Sequence, residues 1–553
     1  MKIDFHVPTG HTHTPGPDPD LRVIQAAISS GGTDLLERVT ELRDAVYLLR
    51  HCTQIAPATV LETLAEVDGV VVSQVEEQFQ KRRVGLSLPL TNTEQDLCAG
   101  MNSLYGQIAK AYSSLIPDRC SELSNDELLV IPEAAYGTLH YLYELLLCAY
   151  QAYQNVPNNT WRQIHALYRR ACALGIEDEP IAGPQTAHAT VKFLYQHTLL
   201  IGLSNPYHFA FRAIRLIDDY VGTHVTQTKL THSVSRSTNE CLFVVDPRID
   251  YPAIPMLSRV RSGNTSECLI LDTFEISVDL HHKIKALCGA SERPSDRSLA
   301  GFSEAERLET LKALLTQWGF HPIRSLARRQ SSGKCELAVG LGAVSFVLNG
   351  SEPVSMFDEQ TEAYAADNVI KGSFGQQQFT QRTQFSLSGG WTLVDESKQG
   401  ARLLLAETAN AGSQIRVGEL VALRVDSGDG WRIGTVRWAK SRNGNTFEIG
   451  MYRLGDAMQA LPAAVKPIQL SAESTGVCSP ALVMTDSGDT SKQMLVVPKG
   501  VYQPQGTVLV KFKDRERVTR IRRLELSTRA FDYFAVQFDQ TNRDESLRIR
   551  LPA

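Results

Sequence analysis

The change in hydrophobic spacing along the chain constrains its fold most. Apolar residues recur every three or four positions from Asp20 to about Gly222, as in TDLLERVTELRDAVYLLRHC, and this spacing is typical of amphipathic helices. From Cys335 onward the apolar runs are short and divided by turn residues, as in WRIGTVRWA and TFEIGMYRL, which is typical of strands. A helical part followed by a strand-rich part predicts a multidomain α+β protein.

The length of the chain requires several folding units. A chain of 553 residues exceeds the roughly 250 to 300 residues at which a single core stops growing. Changes in composition between periodic segments place the predicted boundaries. The units are a mobile tail at 1–20, an all-α helical array at 21–222, a linker at 223–240, a small mixed α/β domain at 241–322, a β-barrel at 323–462 with a Gln-rich insertion at about 350–390, and a small C-terminal β domain at 466–553.

Composition excludes several classes of protein. Apolar residues make up 43% and charged residues 21% of the chain, so a wholly disordered protein is excluded. A net charge of -5 argues against a globally basic nucleic-acid binder. The ten cysteines form no CxxC pair, and the sequence shows neither a secretory signal nor a run of about 18 apolar residues that could span a membrane. We therefore expect reduced cysteines and a cytoplasmic protein.

Helix-start signals and aromatic residues characterise the helical region. Thr160 with Gln163, and Ser303 with Glu306, each have the spacing of a capping box at the start of a helix. The predicted helix starts are unequally spaced, so the array is not a tetratricopeptide repeat, which needs a constant period of about 34 residues. Its aromatic stripes favour burial in a core, and its concave face is the surface where we expect an unidentified protein partner.

Signatures of catalysis are missing from the sequence. We find no GxxxxGKS phosphate loop, no HExxH and no GxSxG, and the run VGLGAVS lacks the third glycine of a dinucleotide fingerprint. The sequence therefore predicts a protein that is not an enzyme, with no cofactor and no metal site.

Two polar segments in the strand-rich region form a candidate site. The turn DESKQG brings an acid, a hydroxyl and a glycine together at Asp395, Ser397 and Gly400. The run RSLARR directly precedes the predicted strand CELAVG and contributes three guanidinium groups, from Arg324, Arg328 and Arg329.

Residues 320–460 resemble the PilZ domain, a six-stranded bacterial barrel that binds cyclic di-GMP. RSLARR is similar to that family's first motif, two arginines separated by three residues, and DESKQG to its second, an Asp or Asn, any residue, a Ser or Ala, two residues and a Gly. The later strands also occur in the family's order. One departure is the distance of 67 positions between Arg328 and Asp395, which the Gln-rich insertion explains, because the entropy cost of closing a loop rises only slowly with its length.

The resemblance implies a ligand chemistry for these residues. A guanidinium can bridge phosphate oxygens, bind the O6 and N7 atoms of guanine or stack on its face. Asp395 would accept hydrogen bonds from guanine nitrogens, and Ser397 would contact a phosphate or the same edge. The resemblance therefore predicts a site for cyclic di-GMP, as a regulatory ligand, formed by Arg324, Arg328, Arg329, Asp395, Ser397 and Gly400.

We accordingly expect a bacterial cytosolic signalling receptor or adaptor that binds cyclic di-GMP and relays it to a protein partner. One alternative is a scaffold whose PilZ-like barrel no longer binds nucleotide. Another is a nucleic-acid binder that uses the basic run KFKDRERVTRIRR at 511–523. Nucleic-acid binding is disfavoured, because alternating charges on a strand more often form a solvated face.

Overall fold

The structure is a computed structural model of the chain. It describes residues 20–30, 34–52, 54–83, 88–117, 125–181, 189–233, 240–256, 267–288, 303–319, 327–350, 387–406, 415–425, 430–442, 446–456, 460–468, 479–485, 492–512 and 516–538. The predicted tail up to Pro19, and most of the predicted insertion, 351–386, lie outside the described residues.

Helices form the N-terminal part, as the apolar spacing predicts. They are α1 Leu21–Ser29, α2 Leu35–His51, α3 Pro57–Val70, α4 Glu77–Arg83, α5 Asn92–Ser114, α6 Asn125–Gln151, α7 Thr160–Leu174, α8 Val191–Leu203 and α9 Phe211–His224. A wider π-type turn, Val71–Glu76, joins α3 to α4. Tyr141 and Tyr195 are among the largest fully buried side chains, so the aromatic residues of the array belong to its core.

A small mixed sheet follows the helices. Its strands are β1 Lys229–Thr231, β2 Leu242–Val245, β3 Ile254–Pro255 and β4 Leu269–Asp272, in the order β1-β4-β2-β3, and the helices α10 Phe274–Cys288 and α11 Glu304–Trp318 come after them in the chain. Part of the predicted linker is therefore structured, since Lys229–Thr231 pairs with β4. The Trp318 indole donates a hydrogen bond to the Leu200 carbonyl over 3.1 Å and ties this region to α8.

The first barrel consists of β6 Lys334–Val339, β7 Ser388–Ser397, β8 Gly400–Leu405, β9 Leu420–Arg424, β10 Arg432–Arg442 and β11 Thr446–Asp456. Among the described residues these strands pair in the closed order β6-β7-β8-β11-β10-β9, all antiparallel. A two-residue strand, β5 Arg329–Gln330, pairs with the end of β7. A short helix, α12 Leu341–Leu348, follows β6.

A second closed barrel ends the described chain. Its strands are β12 Ala460–Ile468, β13 Ser479–Thr485, β14 Gln493–Pro498, β15 Thr507–Lys511, β16 Glu516–Ser527 and β17 Phe531–Phe538. They pair in the order β12-β13-β14-β17-β16-β15. The helical region, mixed sheet and two barrels confirm the predicted α+β multidomain fold class.

The helical region and the first barrel are in direct contact. Leu88 and Ile415 exchange backbone hydrogen bonds of 2.9 and 3.0 Å, and the Ser441 amide donates to the Tyr153 carbonyl over 2.6 Å. One continuous apolar cluster runs from the helices through the mixed sheet into the interior of the first barrel. Because no break in the core separates these units, their exact boundaries stay predictions.

Asp68 gives the helical region a pH-dependent stability. Burial raises the pKa of this α3 carboxyl to about 6, although the hydroxyls of Tyr112 and Tyr141 each donate a hydrogen bond to it over 2.6 Å and lower the pKa. A carboxyl whose pKa is higher in the folded state opposes folding once it ionises. The cost is small below about pH 4 and complete above about pH 6.

We expect Asp68→Asn to stabilise the protein by on the order of 1 to 2 kcal/mol at pH 8, and by much less at pH 4, because asparagine keeps an acceptor without the charge. Urea unfolding at the two pH values measures the difference. Asp34→Asn is the control, because backbone hydrogen bonds from α2 lower the pKa of Asp34 and its ionised form already favours folding. An Asp68→Asn effect of equal size at both pH values would contradict the assignment.

Candidate functional site

The run RSLARR at 324–329 is called the arginine segment below. Its described part, which includes Arg328 and Arg329, pairs with the first barrel beside the polar turn DESKQG. In the pairing of β5 with β7, Arg329 lies opposite Glu396 and Gln330 opposite Asp395. The Ser331 amide extends this contact by donating to the Val394 carbonyl over 2.9 Å. Strand pairing therefore brings the two segments together despite their separation in sequence.

The Asp395 carboxylate is held by two guanidinium groups. Arg328 Nη1 lies 2.5 Å from Asp395 Oδ1, and Arg402 Nε lies 2.9 Å from Oδ2. The Asp395 side chain is 6% exposed, whereas those of Arg328 and Arg402 are 36% and 28% exposed. A buried carboxylate requires such partners, because an unpaired buried charge is costly. The arginines themselves remain open to solvent and to an anionic ligand.

A β-bulge explains why Asp395 lies on the outer side of the sheet. Leu393 pairs with Leu403, but the register shifts between Leu393 and Asp395, so that Asp395 pairs with Arg402. Leu393 and Leu403 belong to the barrel core, and alternation along β8 puts Arg402 on the opposite face. Without the extra residue of the bulge, Asp395 would point into the apolar interior.

The turn after Asp395 is a tight hairpin between β7 and β8. Ser397 and Gly400 form its last pair, and the Ser397 hydroxyl lies 3.5 Å from the Gly400 carbonyl oxygen. A Cβ atom at Gly400 would lie 2.5 Å from the carbonyl oxygen of Met451 in β11. The glycine therefore allows two strands to approach closely, a structural role that its position in the turn motif does not reveal.

A second ion pair lies beside the hairpin. Arg432 Nη1 in β10 is 2.6 Å from Glu396 Oε2. In the neighbouring strand β11, Arg453 pairs with Asp456. Among the described residues, a cleft beside the hairpin is lined by Glu396, Ser397, Gly400, Ala401, Leu423, Arg432, Met451 and Arg453, and a water-sized molecule can occupy only about 10 Å³ of it. This is far below the roughly 300 to 1,000 Å³ of a pocket that encloses a drug-sized ligand.

The structure brings together part of the predicted residue set. Arg328 contacts Asp395 directly, and Ser397 and Gly400 lie two and five positions further along the same hairpin. Arg329 is exposed at its place in β5, and Arg324 lies outside the described residues. No group of three or more potential metal ligands occurs among the described residues. No helix in the described ranges is long and apolar enough to cross a membrane.

Arg402 and the Glu396–Arg432 pair are missing from the predicted set. In the run ARLLLA, the charged Arg402 occupies a position where the alternation favours an outward side chain. That signal marks it as exposed but gives no partner, since the partner depends on the register of β7 against β8.

Two arginines of the C-terminal basic run, Arg522 and Arg523, have partners within their own barrel. Arg523 pairs with Glu525 at 2.8 Å, and Arg522 donates to the Gln537 side chain. Arg520, Arg522 and Arg523 are exposed at alternating and adjacent positions of β16. This arrangement is typical of a solvated strand face with local charge compensation.

Comparison with known proteins agrees with this geometry. Residues 29–235 match the family model for the N-terminal domain of the cyclic-di-GMP receptor FimW, and residues 242–388 and 373–459 match the model for its middle PilZ domain. Among curated proteins, the chain is 22% identical over 480 residues to the cyclic-di-GMP receptor FimW of Pseudomonas aeruginosa, which covers 78% of this chain and 76% of that protein.

The closed six-stranded barrel, its arginine segment and its polar hairpin are those of a PilZ-domain protein, and the matched middle domain confirms that predicted resemblance. More particularly, residues 29–459 are similar to FimW, because the models for two adjacent domains of that receptor match in adjacent positions and together span most of this range. Strands β2 to β4 of the mixed sheet lie within the residues matched by the middle-domain model, whereas β1 lies within those matched by the N-terminal-domain model.

Proposed function

We propose that this protein is a bacterial signalling receptor for cyclic di-GMP, with the binding site at the Arg328–Asp395 pair of the first barrel. The observation that carries the proposal is the 2.5 Å contact between Arg328 of the arginine segment and Asp395 of the polar hairpin, which supports a single site formed by both segments. The FimW relative is itself a cyclic-di-GMP receptor, and this supports the same ligand here.

The ion pairs suggest how contacts within the protein are replaced by contacts to the ligand when the nucleotide binds. In the ligand-free protein, Arg328 neutralises Asp395. A bound nucleotide offers phosphates to Arg328 and guanine N1 and N2 donors to Asp395, so each partner of the pair gains a charge-assisted hydrogen bond to the ligand. Arg402 stays beside the carboxylate, with its Nε atom 2.9 Å from Asp395 Oδ2. Ser397 and Arg329 lie near enough along the same strands to add contacts.

Binding would change the position of the arginine segment. Arg328 adjoins β5, which pairs with only the last part of β7, and a short pairing of this kind is easily rearranged. A ligand that binds one arrangement more tightly shifts the population toward it. We propose that this rearrangement is read by a protein partner at the helical region, in the cytoplasm, without any catalytic step in this chain.

Titration calorimetry of the full chain tests the proposal. We expect cyclic di-GMP to bind with a Kd of about 1 µM or tighter, and cyclic di-AMP to bind far more weakly, since adenine lacks the N1 and N2 donors for Asp395. Arg328→Ala should weaken binding by at least about tenfold through the loss of a charged hydrogen bond. The matched control is Arg442→Ala, because Arg442 lies at the opposite end of β10 from Arg432.

A different outcome would favour the scaffold alternative. Asp395 is already paired with two arginines, so a barrel that uses this cluster only for its own stability is a coherent second candidate. Folded wild-type protein that gives no binding heat with cyclic di-GMP would support the scaffold. Equal losses in Arg328→Ala and Arg442→Ala would mean that the loss reflects the stability of the barrel and not a contact between Arg328 and the ligand.

A further inference from the structure

The two barrels have the same strand topology. When the strands of each barrel are numbered one to six in chain order, the first barrel pairs them in the cycle 1-2-3-6-5-4, and so does the second. Every pairing in both cycles is antiparallel. Six strands can close in many orders, so identical cycles in adjacent domains point to one repeated fold rather than to two unrelated barrels.

The sequence at the equivalent hairpin retains a trace of the repeat. The run DTSKQM at 489–494 matches DESKQG at 395–400 in four of six positions, and each run leads into the third strand of its barrel. One of the two differences is informative, because the glycine of the first run is replaced by Met494, which is 1% exposed. The first three residues of the second run lie outside the described residues.

The polar pairs of the first hairpin correspond to apolar pairs in the second. In the first barrel, the outward pairs nearest the turn are Ser397 with Gly400 and Asp395 with Arg402. At the equivalent places in the second barrel, Met484 pairs with Met494 and Leu482 with Val496. Neither pair belongs to the interior cluster of the second barrel, so both point outward.

This apolar face of the second barrel is covered by the first barrel. Leu482, Met484, Met494 and Val496 are all buried in a separate cluster between the barrels. The opposing side of that cluster comes from the helix α12, through Ala343, Val344 and Val347, and from the outer face of β9, through Leu420 and Ala422. The occupant of the face is therefore a neighbouring part of the same chain.

We infer that the C-terminal barrel is a second barrel of PilZ topology whose nucleotide face has become a docking surface for α12 and the first barrel. Among the described residues, buried apolar pairs stand where the strand pairing of the first barrel has its carboxylate–arginine pair, so this face of the second barrel does not bind a cyclic dinucleotide. Of the two barrels, only the first then has a nucleotide site, and this conclusion rests on the proposed function. The docking of the second barrel does not depend on the proposed function.

Hydrogen exchange in the full-length protein tests the docking. Leu482→Asp places a charge in the interface without entering the interior of the second barrel, and we expect the backbone amides of α12, Leu341–Leu348, to exchange at least tenfold faster. The strands β12 to β17 should keep their protection. Leu461→Asp is the control, since Leu461 lies on the same barrel and is 39% exposed.

Two results would overturn the docking. One is unchanged exchange in α12 with the second barrel intact. The second result applies if Leu482→Asp unfolds the second barrel. In that case the milder variant Leu482→Ala is measured, because its smaller side chain should still loosen the interface. Unchanged exchange in α12 of that variant would overturn the docking.

The single-site statement has its own test. Calorimetry of the full-length Asp395→Ala variant with cyclic di-GMP should show no remaining saturable binding, and residual binding at an unchanged second affinity would overturn the inference of one site. If wild-type protein gives no binding heat, the proposed function fails, while the exchange of α12 still decides whether the second barrel is docked.

Discussion

Asp395→Ala is expected to weaken cyclic di-GMP binding at least a hundredfold. The carboxylate would accept two hydrogen bonds from one guanine edge, and each bond to a charged acceptor contributes about 1.5 to 3 kcal/mol. Two such losses amount to roughly 3 kcal/mol or more, which corresponds to a factor of about a hundred in Kd. The substitution also leaves Arg328 and Arg402 facing each other without their shared counter-ion.

Loss of binding must be separated from loss of stability. Glu448→Ala is the matched control, because Glu448 is another buried acid of the first barrel and pairs with Arg442 at 3.4 Å, away from the hairpin. We expect both variants to unfold at lower urea concentrations than wild type, and only Asp395→Ala to lose the ligand. If Glu448→Ala loses cyclic di-GMP binding as well, the effect is one of barrel stability and Asp395 has no specific role.

The order of helices and strands follows from local patterns, but the end of one helix shows the limit of that reasoning. Ser303 and Glu306 form the predicted capping box at the start of α11, with both reciprocal hydrogen bonds. The same pattern at Thr160 and Gln163 predicts a box that does not form. Instead, Asp250 accepts from the amides of Asn159 and Trp161, at 2.6 and 2.9 Å, from a loop about 90 residues further along the chain. A remote carboxylate has replaced the local cap, and no local pattern encodes this.

The candidate site shows a similar division between local and long-range information. The order of the arginine segment and the hairpin is visible in the sequence and predicts that Arg328 and Asp395 belong together. The partnership of Asp395 with Arg402 is not visible, because it depends on the bulge that shifts the register after Leu393. Strict alternation from Trp391 through Leu393 would put Asp395 inside the barrel. The two-residue period of a strand, taken alone, therefore predicts the wrong face of the sheet for Asp395.

The repeated topology is also hidden from sequence patterns. Short apolar strands predict a second β domain, but alternation does not determine which strands pair. The equivalent hairpins differ in character, since the first keeps a polar outer face and the second an apolar one. The two hairpins differ in what covers them: Leu482 and Val496 belong to the apolar cluster that includes α12, whereas Asp395 is covered by Arg328 and Arg402, whose side chains are partly exposed to solvent.

Gly434→Ala is expected to destabilise the first barrel by about 3 kcal/mol or more. A Cβ atom at Gly434 in β10 would overlap the carbonyl oxygen of Tyr452 and the side chain of Met451 in the neighbouring strand β11. A backbone carbonyl cannot move without displacing the strand, so the methyl group forces β10 and β11 apart, and overpacking of this kind costs 1 to 3 kcal/mol or more. Urea unfolding monitored by tryptophan fluorescence measures the change.

The same substitution links barrel packing to the ligand site. Gly400 approaches β11 at Met451 from the other side, so a displaced β11 also moves the hairpin that carries Ser397 and Asp395. We therefore expect Gly434→Ala protein that remains folded to bind cyclic di-GMP more weakly than wild type. Gly430→Ala is the control, since nothing lies within 4 Å of a Cβ atom at that position. Equal stability of the two variants would mean that β10 and β11 are not packed this closely, and the close approach would then not explain why glycine occupies position 434.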